Sequence, residues 1–180
     1  MKKITIIAFT LVLMATVAKG QKEYKNRFEF TEGVEKIGLW GGTTRFETNE
    51  IYGGLTYSVN QRNANIAEIG IQGSLWENEF CDSKSVELSG GYGLALVHGS
   101  RIAIRAKVNP FLGYESQVSK IGMKEIKVFL VGGVVGLEME ILIRNDNGIY
   151  LSGNQRVDYL ANHDEWRGRY YFTFGFRVKL

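Results

Sequence analysis

Residues Trp166 to Leu180 read WRGRYYFTFGFRVKL, and their alternation decides the fold. Tyr170, Phe172, Phe174, Phe176, Val178 and Leu180 fall on one side of an extended chain. Tyr171, Thr173, Gly175, Arg177 and Lys179 fall on the other, because successive side chains of a strand point to opposite faces. One face is wholly apolar and mostly aromatic; the other is polar and basic. In a water-soluble protein the apolar face would be a core face. At the end of an exported chain it reads as the closing strand of an outer-membrane barrel, with lipid outside and a polar lumen inside. Gly175, Val178 and Leu180 also resemble the terminal signal by which such barrels are recognised for insertion, with Leu where an aromatic residue is usual.

Working outward, the chain start supplies the export. Lys2 and Lys3 precede an apolar run, Ile4 to Val17, which is too short to span as a helix. Ala18-Lys19-Gly20 then places small residues at a cleavage site. The expected organisation is a signal peptide over 1–20, a periplasmic lead-in over 21–33 and a barrel domain over 34–180. Lys2, Lys3 and Lys19 leave with the signal, so the rest of the chain balances 19 bases against 19 acids, although the whole carries +3. A basic pI therefore gives no argument for nucleic-acid binding. The single cysteine, Cys81, excludes an internal disulfide. Mean hydropathy is −0.12, too low for a helical membrane protein, whereas a barrel hides its hydrophobicity in alternation.

The same period of two runs back through the chain. Strands are expected near Val34–Gly41, Ile51–Asn60, Ile69–Leu75, Val86–Leu96, Ile102–Asn109, Val128–Ile143, Ile149–Asp158 and Trp166–Leu180. Pro110 is expected at a bulge or frayed strand end. Short turns fall at Gln61–Ala64, His98–Ser100 and Asn145–Gly148. Longer polar loops fall at Thr43–Glu50, Glu77–Lys84, Glu115–Glu125 and Ala161–Glu165. Short turns at one end and longer loops at the other are the asymmetry of outer-membrane barrels. The expected fold class is all-β, a single antiparallel up-and-down transmembrane β-barrel of about eight strands. A soluble lipocalin-like barrel or sandwich shares the alternation but reverses which side meets water.

Parity assigns the charges. Glu68, Glu87, Glu138, Glu140 and Asp158 face inward with Arg105, Lys107, Arg156, Arg177 and Lys179, a set of acids and bases able to pair in a narrow lumen. Trp40, Trp76 and Trp166 read as an interfacial girdle, although Trp76 has lumen parity. In Gly132-Gly133-Val134-Val135-Gly136 no Lys-Ser/Thr follows, so these are small residues in a crowded wall rather than a phosphate loop. His98 and His163 belong to opposite ends and form no dyad. No catalytic residue, metal ligand, cofactor site or small-molecule substrate is identified.

Gly113-Tyr114-Glu115, Val131-Gly132-Gly133 running to Leu137-Glu138-Met139-Glu140, Arg156, and Phe174-Gly175-Phe176-Arg177 resemble, in this order and spacing, the conjugative-transposon TraO family of Bacteroidetes. The match covers mainly residues 105 to 180. The signal ending before Gln21 is similar to exported proteins of that phylum. The resemblance implies an outer-membrane component of a conjugal DNA-transfer apparatus, non-enzymatic, with outer-membrane lipid and other transfer proteins as partners. An eight-stranded barrel is filled by its own side chains and passes no DNA strand, so a structural or anchoring role is expected, without direct nucleic-acid binding. The alternatives are a generic small outer-membrane barrel for adhesion or envelope integrity, a soluble binding barrel, and a lipid-modifying barrel enzyme, for which no converging nucleophile and base is found.

Overall fold

The computed structural model describes residues 30–44, 49–77, 80–121, 125–144, 147–161 and 164–180. The expected signal peptide, most of the lead-in and His163 lie outside them. Eight antiparallel strands close into a barrel, each paired with its neighbours in sequence and β8 with β1. They are β1 (Glu35–Thr44), β2 (Asn49–Asn60), β3 (Ile66–Glu77), β4 (Cys81–His98), β5 (Ile102–Ser119), β6 (Glu125–Arg144), β7 (Asn147–Leu160) and β8 (Glu165–Lys179). The all-β up-and-down architecture expected from the alternation is the one found.

The side chains sort as the period of two requires. Ile37, Leu55, Ile71, Leu88, Val108, Leu137, Leu151 and Phe174 all point out and are exposed. Lys36, Ser58, Glu68, Glu87, Arg105, Glu138, Arg156 and Arg177, from the opposite parity, are buried inside. The barrel is thus inverted relative to a soluble one, and so large a contiguous apolar exterior is stable only against an apolar solvent.

Strand ends differ from expectation. The polar stretches read as long loops are largely continued ladder. Glu77 pairs with Asp82, Cys81 with Ser119, and Val118 with Glu125. Connections at both ends of the barrel are consequently short, and the expected length asymmetry is absent. What distinguishes the loop end is strand extension, with β4 and β5 of 18 residues each and β6 of 20. Above Val86, Tyr114 and Phe129 the outward positions become Lys84, Ser116 and Lys127 and then Asp82, Val118 and Glu125, a largely polar set that marks the upper limit of the apolar belt on these strands.

Pro110 does not end β5 either. It faces outward opposite Gly133 of β6 in unbroken register. Only the ladder to β4 is interrupted, between Ser89↔Phe111 and Tyr92↔Val108, where proline has no N–H to give. Bulges occur instead at Ala95/Val97 and Leu142/Arg144. At the opposite end, the β2–β3 turn is a 3-10 turn over Arg62–Ala64 with Asn63 and Ala64 at positive φ. Holding alanine there is unfavourable for a residue with a Cβ. The outcome is a buried Ala64 whose carbonyl accepts from Arg105 Nε at 2.7 Å.

Candidate functional site: a lumen barred by two layers of charge

Adjacent inward positions of one strand lie two apart, and the barrel uses this spacing to set charged residues side by side, like charges on β6 and β8 and an opposite pair on β7. Glu138 and Glu140 share the inner face of β6, Arg156 and Asp158 that of β7, and Arg167 and Arg169 that of β8. Closure brings these pairs together in two layers.

The layer near the chain ends holds four bases, Lys36, Arg105, Lys107 and Arg177, against three carboxylates, Glu68, Glu138 and Glu140. Arg177 grips Glu138 with both terminal nitrogens, Nη1 to Oε1 and Nη2 to Oε2 each at 2.8 Å. The same arginine reaches Glu68 at 3.1 Å and Glu140 at 3.3 Å, and its guanidinium lies 4.2 Å from the Tyr150 ring centre. Arg105 donates to Glu138 at 3.1 Å and to Glu140, while Lys36 donates to Glu140 at 3.1 Å. Lys107 joins Glu138, at 3.1 Å, to Glu68. Phe30, from the lead-in, covers this layer from below. Its ring centre is 5.0 Å from the Arg105 guanidinium and 5.4 Å from Lys36 Nζ.

The layer near the loops holds three bases, Arg156, Arg167 and Arg169, against four carboxylates, Glu50, Glu87, Glu115 and Asp158. Arg156 and Arg167 each fork onto one glutamate, Arg156 onto Glu87 at 2.7 and 2.9 Å and Arg167 onto Glu115 at 3.1 and 2.6 Å, while Arg169 reaches both Glu50 oxygens from Nη1 alone, at 2.8 and 2.6 Å, and turns Nη2 to Asp158. All three converge on Asp158. Bidentate arginine–carboxylate pairs are the strongest and most directional of side-chain ion pairs. Arg156 also stacks on Phe111 at 4.1 Å, and Tyr52 stacks on Tyr171 at 5.0 Å, so aromatic rings fill the space beside the charges.

Between the layers remains a chamber of about 40 Å³, walled in part by Trp40, Thr56, Glu68, Asn109 and Tyr150. That is room for one to a few waters. Every carboxylate of both layers is held by bases, so none is presented as a general base, and among the described residues no three or more His, Cys, Asp or Glu side chains are grouped to hold a metal. The lumen is a packed interior.

Nine of the ten charges assigned inward by parity lie in these layers: Glu68, Glu87, Arg105, Lys107, Glu138, Glu140, Arg156, Asp158 and Arg177. Lys179 does not. It has inward parity opposite Lys36, but it is the last strand residue and is exposed where the lumen ends, its backbone N–H donating to Asn147 Oδ1 at 2.6 Å. Lys36, Glu50, Glu115, Arg167 and Arg169 belong to the layers and were not foreseen. For Arg167 and Arg169 the signal was present, since both continue the parity of Tyr171 and Thr173. Tyr170, Phe172, Phe174, Phe176, Val178 and Leu180 are all exposed on the outer wall. Of the tryptophans, Trp166 is exposed at the start of β8 and packs on Tyr159 at 5.0 Å. Trp40 is no girdle residue. It points inward midway along β1 and packs with the Tyr52–Tyr171 cluster.

No protein-family model matches the chain, and no curated protein matches it. Solved structures do. The N-terminal β-barrel domain of Pseudomonas aeruginosa OprF aligns with a TM-score of 0.53 at 11% identity, over 82% of this chain and 98% of that one. Neisserial surface protein A gives 0.48 at 10% identity, over 87% of this chain and 100% of that one. The attachment invasion locus protein Ail of Yersinia pestis gives 0.47 at 15% identity, over 82% of this chain and 100% of that one. The likeness to the OprF domain is one of fold. The chain folds as an outer-membrane-type eight-stranded barrel.

Proposed function

We propose that the protein is inserted in the outer membrane as a shut, non-catalytic barrel and serves there as a structural or anchoring part of a conjugal DNA-transfer apparatus. The observation that carries the first half is the lumen itself. Two complete layers of ion pairs cross it, so the barrel acts through its outer wall and its two ends rather than through a conduit. The transfer role is supported by the resemblance of residues 105–180 to the TraO family. The residues that carry it include Glu115, Glu138, Glu140, Arg156 and Arg177, which fill the lumen, and the inward glycines Gly113, Gly132 and Gly175, where a Cβ would strike its neighbours. They preserve a barrel of this kind, and they leave any contact with other transfer proteins to the ends and the outer wall.

Two measurements test this. Fractionation should place the protein with the outer membrane, and unboiled protein should migrate on a gel differently from boiled protein. Deleting the gene from a donor strain should abolish mating, with recovery on complementation. A donor that transfers normally without it removes the transfer role. A protein recovered in the aqueous fraction removes the membrane one.

A further inference from the structure

Along the apolar belt the outward positions of the other seven strands carry apolar side chains, aromatic rings, glycine or proline, apart from Thr43 near the end of β1, whose hydroxyl donates to the Glu50 carbonyl at 3.0 Å. β7 breaks the pattern. Its outward run is Ile149, Leu151, Gly153, Gln155, Val157 and Tyr159, and Gln155 is exposed among them. It pairs with Val135 of β6 and Tyr170 of β8. Val135 lies near the middle of the outward run Phe129–Ile143, so the amide sits well inside the belt rather than at a rim. An amide there, without a hydrogen-bonding partner, is costly.

The wall around Gln155 is low on one side and ridged on the other. Gly133 and Gly168, one rung toward the loops, point into open space with no atom within 4 Å of where a Cβ would be. One rung the other way, Gly153 forms the floor of an apolar groove of about 300 Å³ lined by Leu137, Met139, Leu151 and Phe172. On the β8 side Tyr170 and Phe172 stand out as a ridge, 63% and 61% exposed.

We propose that this face is where a second copy of the chain docks, Gln155 against Gln155 of the partner. Acyl chains offer no polar group at this depth. A twofold axis along the membrane normal keeps depth unchanged, so it brings the same residue of another copy to the same level. An amide is both donor and acceptor and therefore satisfies its own kind. The same axis sets β6 of one copy against β8 of the other, so the Tyr170–Phe172 ridge meets the low floor at Gly133. Small residues that let backbones approach, with a polar side chain between them, are the recurrent contact inside membranes.

The inference rests on the lipid-facing reading of the wall, and the test separates the two. In a Cys81→Ser background, Gln155→Cys should give a disulfide-linked dimer on mild oxidation of outer membranes, while Ile71→Cys on β3 should not. In vesicles, energy transfer between labelled copies should show a dimer that Gln155→Leu weakens by about tenfold. Gly133→Leu, which meets open space in the single copy, should abolish it while heat-modifiability is retained. A protein absent from the membrane ends both readings. A membrane-inserted barrel that stays monomeric, or that dimerises equally as Gln155→Leu, ends this one alone.

Discussion

Glu138 is the residue on which the lower charge layer turns, and replacing it by leucine gives a prediction that can be worked through. Its carboxylate accepts from Arg105 and Lys107 at 3.1 Å and twice from Arg177 at 2.8 Å, and it is fully buried. Removing it leaves four bases facing two carboxylates. Breaking a buried ion pair by deleting one partner costs about 3–5 kcal/mol, because a charge is left without compensation. That is roughly a 10²–10⁴-fold loss in the folding equilibrium constant. With a denaturant slope of about 2 kcal/mol/M, the urea midpoint in vesicles should fall by roughly 1.5–2.5 M. The second variant makes the reasoning specific. Arg177→Met together with Glu138→Leu restores the original excess of one base, and replacing a whole buried pair by apolar groups is often neutral or stabilising. The double variant should regain most of the lost stability. The reasoning fails if Glu138→Leu stays within about 1 kcal/mol of wild type, or if the double variant is no better than the single one.

Adjacent glycines of β6 should behave oppositely. Gly132→Ala drives a Cβ to 2.4 Å from the Val157 carbonyl oxygen and 2.5 Å from Phe111, and should cost about 1–3 kcal/mol or more, whereas Gly133→Ala, which meets nothing within 4 Å, should leave the urea midpoint unchanged. Phe174→Arg on the outer wall should lower stability in vesicles by about 2–4 kcal/mol, the usual figure for arginine facing mid-bilayer lipid. Phe30→Ala uncovers Arg105 and Lys36 and should cost about 0.5–2 kcal/mol, read as a lower urea midpoint with the strand content of circular dichroism preserved. Lys120, beyond the strands, has its pKa raised by hydrogen bonds to Asp82 and Glu77. The folded state holds that proton more tightly, so the clamp is complete below the ordinary lysine range and is lost as pH rises through the raised value. Proteolysis next to Lys120 and Ile121 should accelerate there, and Glu77→Gln should weaken that dependence.

The barrel was legible because lipid and lumen make opposite demands on alternate residues: the outward positions of Phe129–Ile143 and Phe172–Leu180 are all apolar or glycine, while polar and charged residues are confined to the inward ones, which also hold the buried Leu130, Val134 and Leu142. The strand ends were not legible for the same reason. Above the belt both faces of β4, β5 and β6 carry mostly polar residues, although Ser83, Ser85 and Glu115 are buried, so Cys81–Ser85, Glu115–Ser119 and Glu125–Lys127 lose their hydrophobic period while the ladder continues, and they read as loop. Glu50 and Glu115 escape a parity reading on that account, and Lys36 because the parity of β1 is thin. Trp40 shows a related limit: its partners are glycines, Gly54 and Gly175, and only the register reveals that an indole fits between them. Parity says which charges face the lumen, but which base meets which acid depends on strand stagger, and no local spacing encodes that.

The hairpin of β5 and β6 outruns its neighbour. The register of β6 to β7 begins at Leu130↔Leu160, five residues into β6, and just before it the Phe129 carbonyl accepts a bond from Ala161. Such a margin is a template on which a foreign chain can lengthen the sheet. Glu125 and Lys127 stand on its outer face, and charges at such a margin disfavour the addition of an apolar strand from another chain.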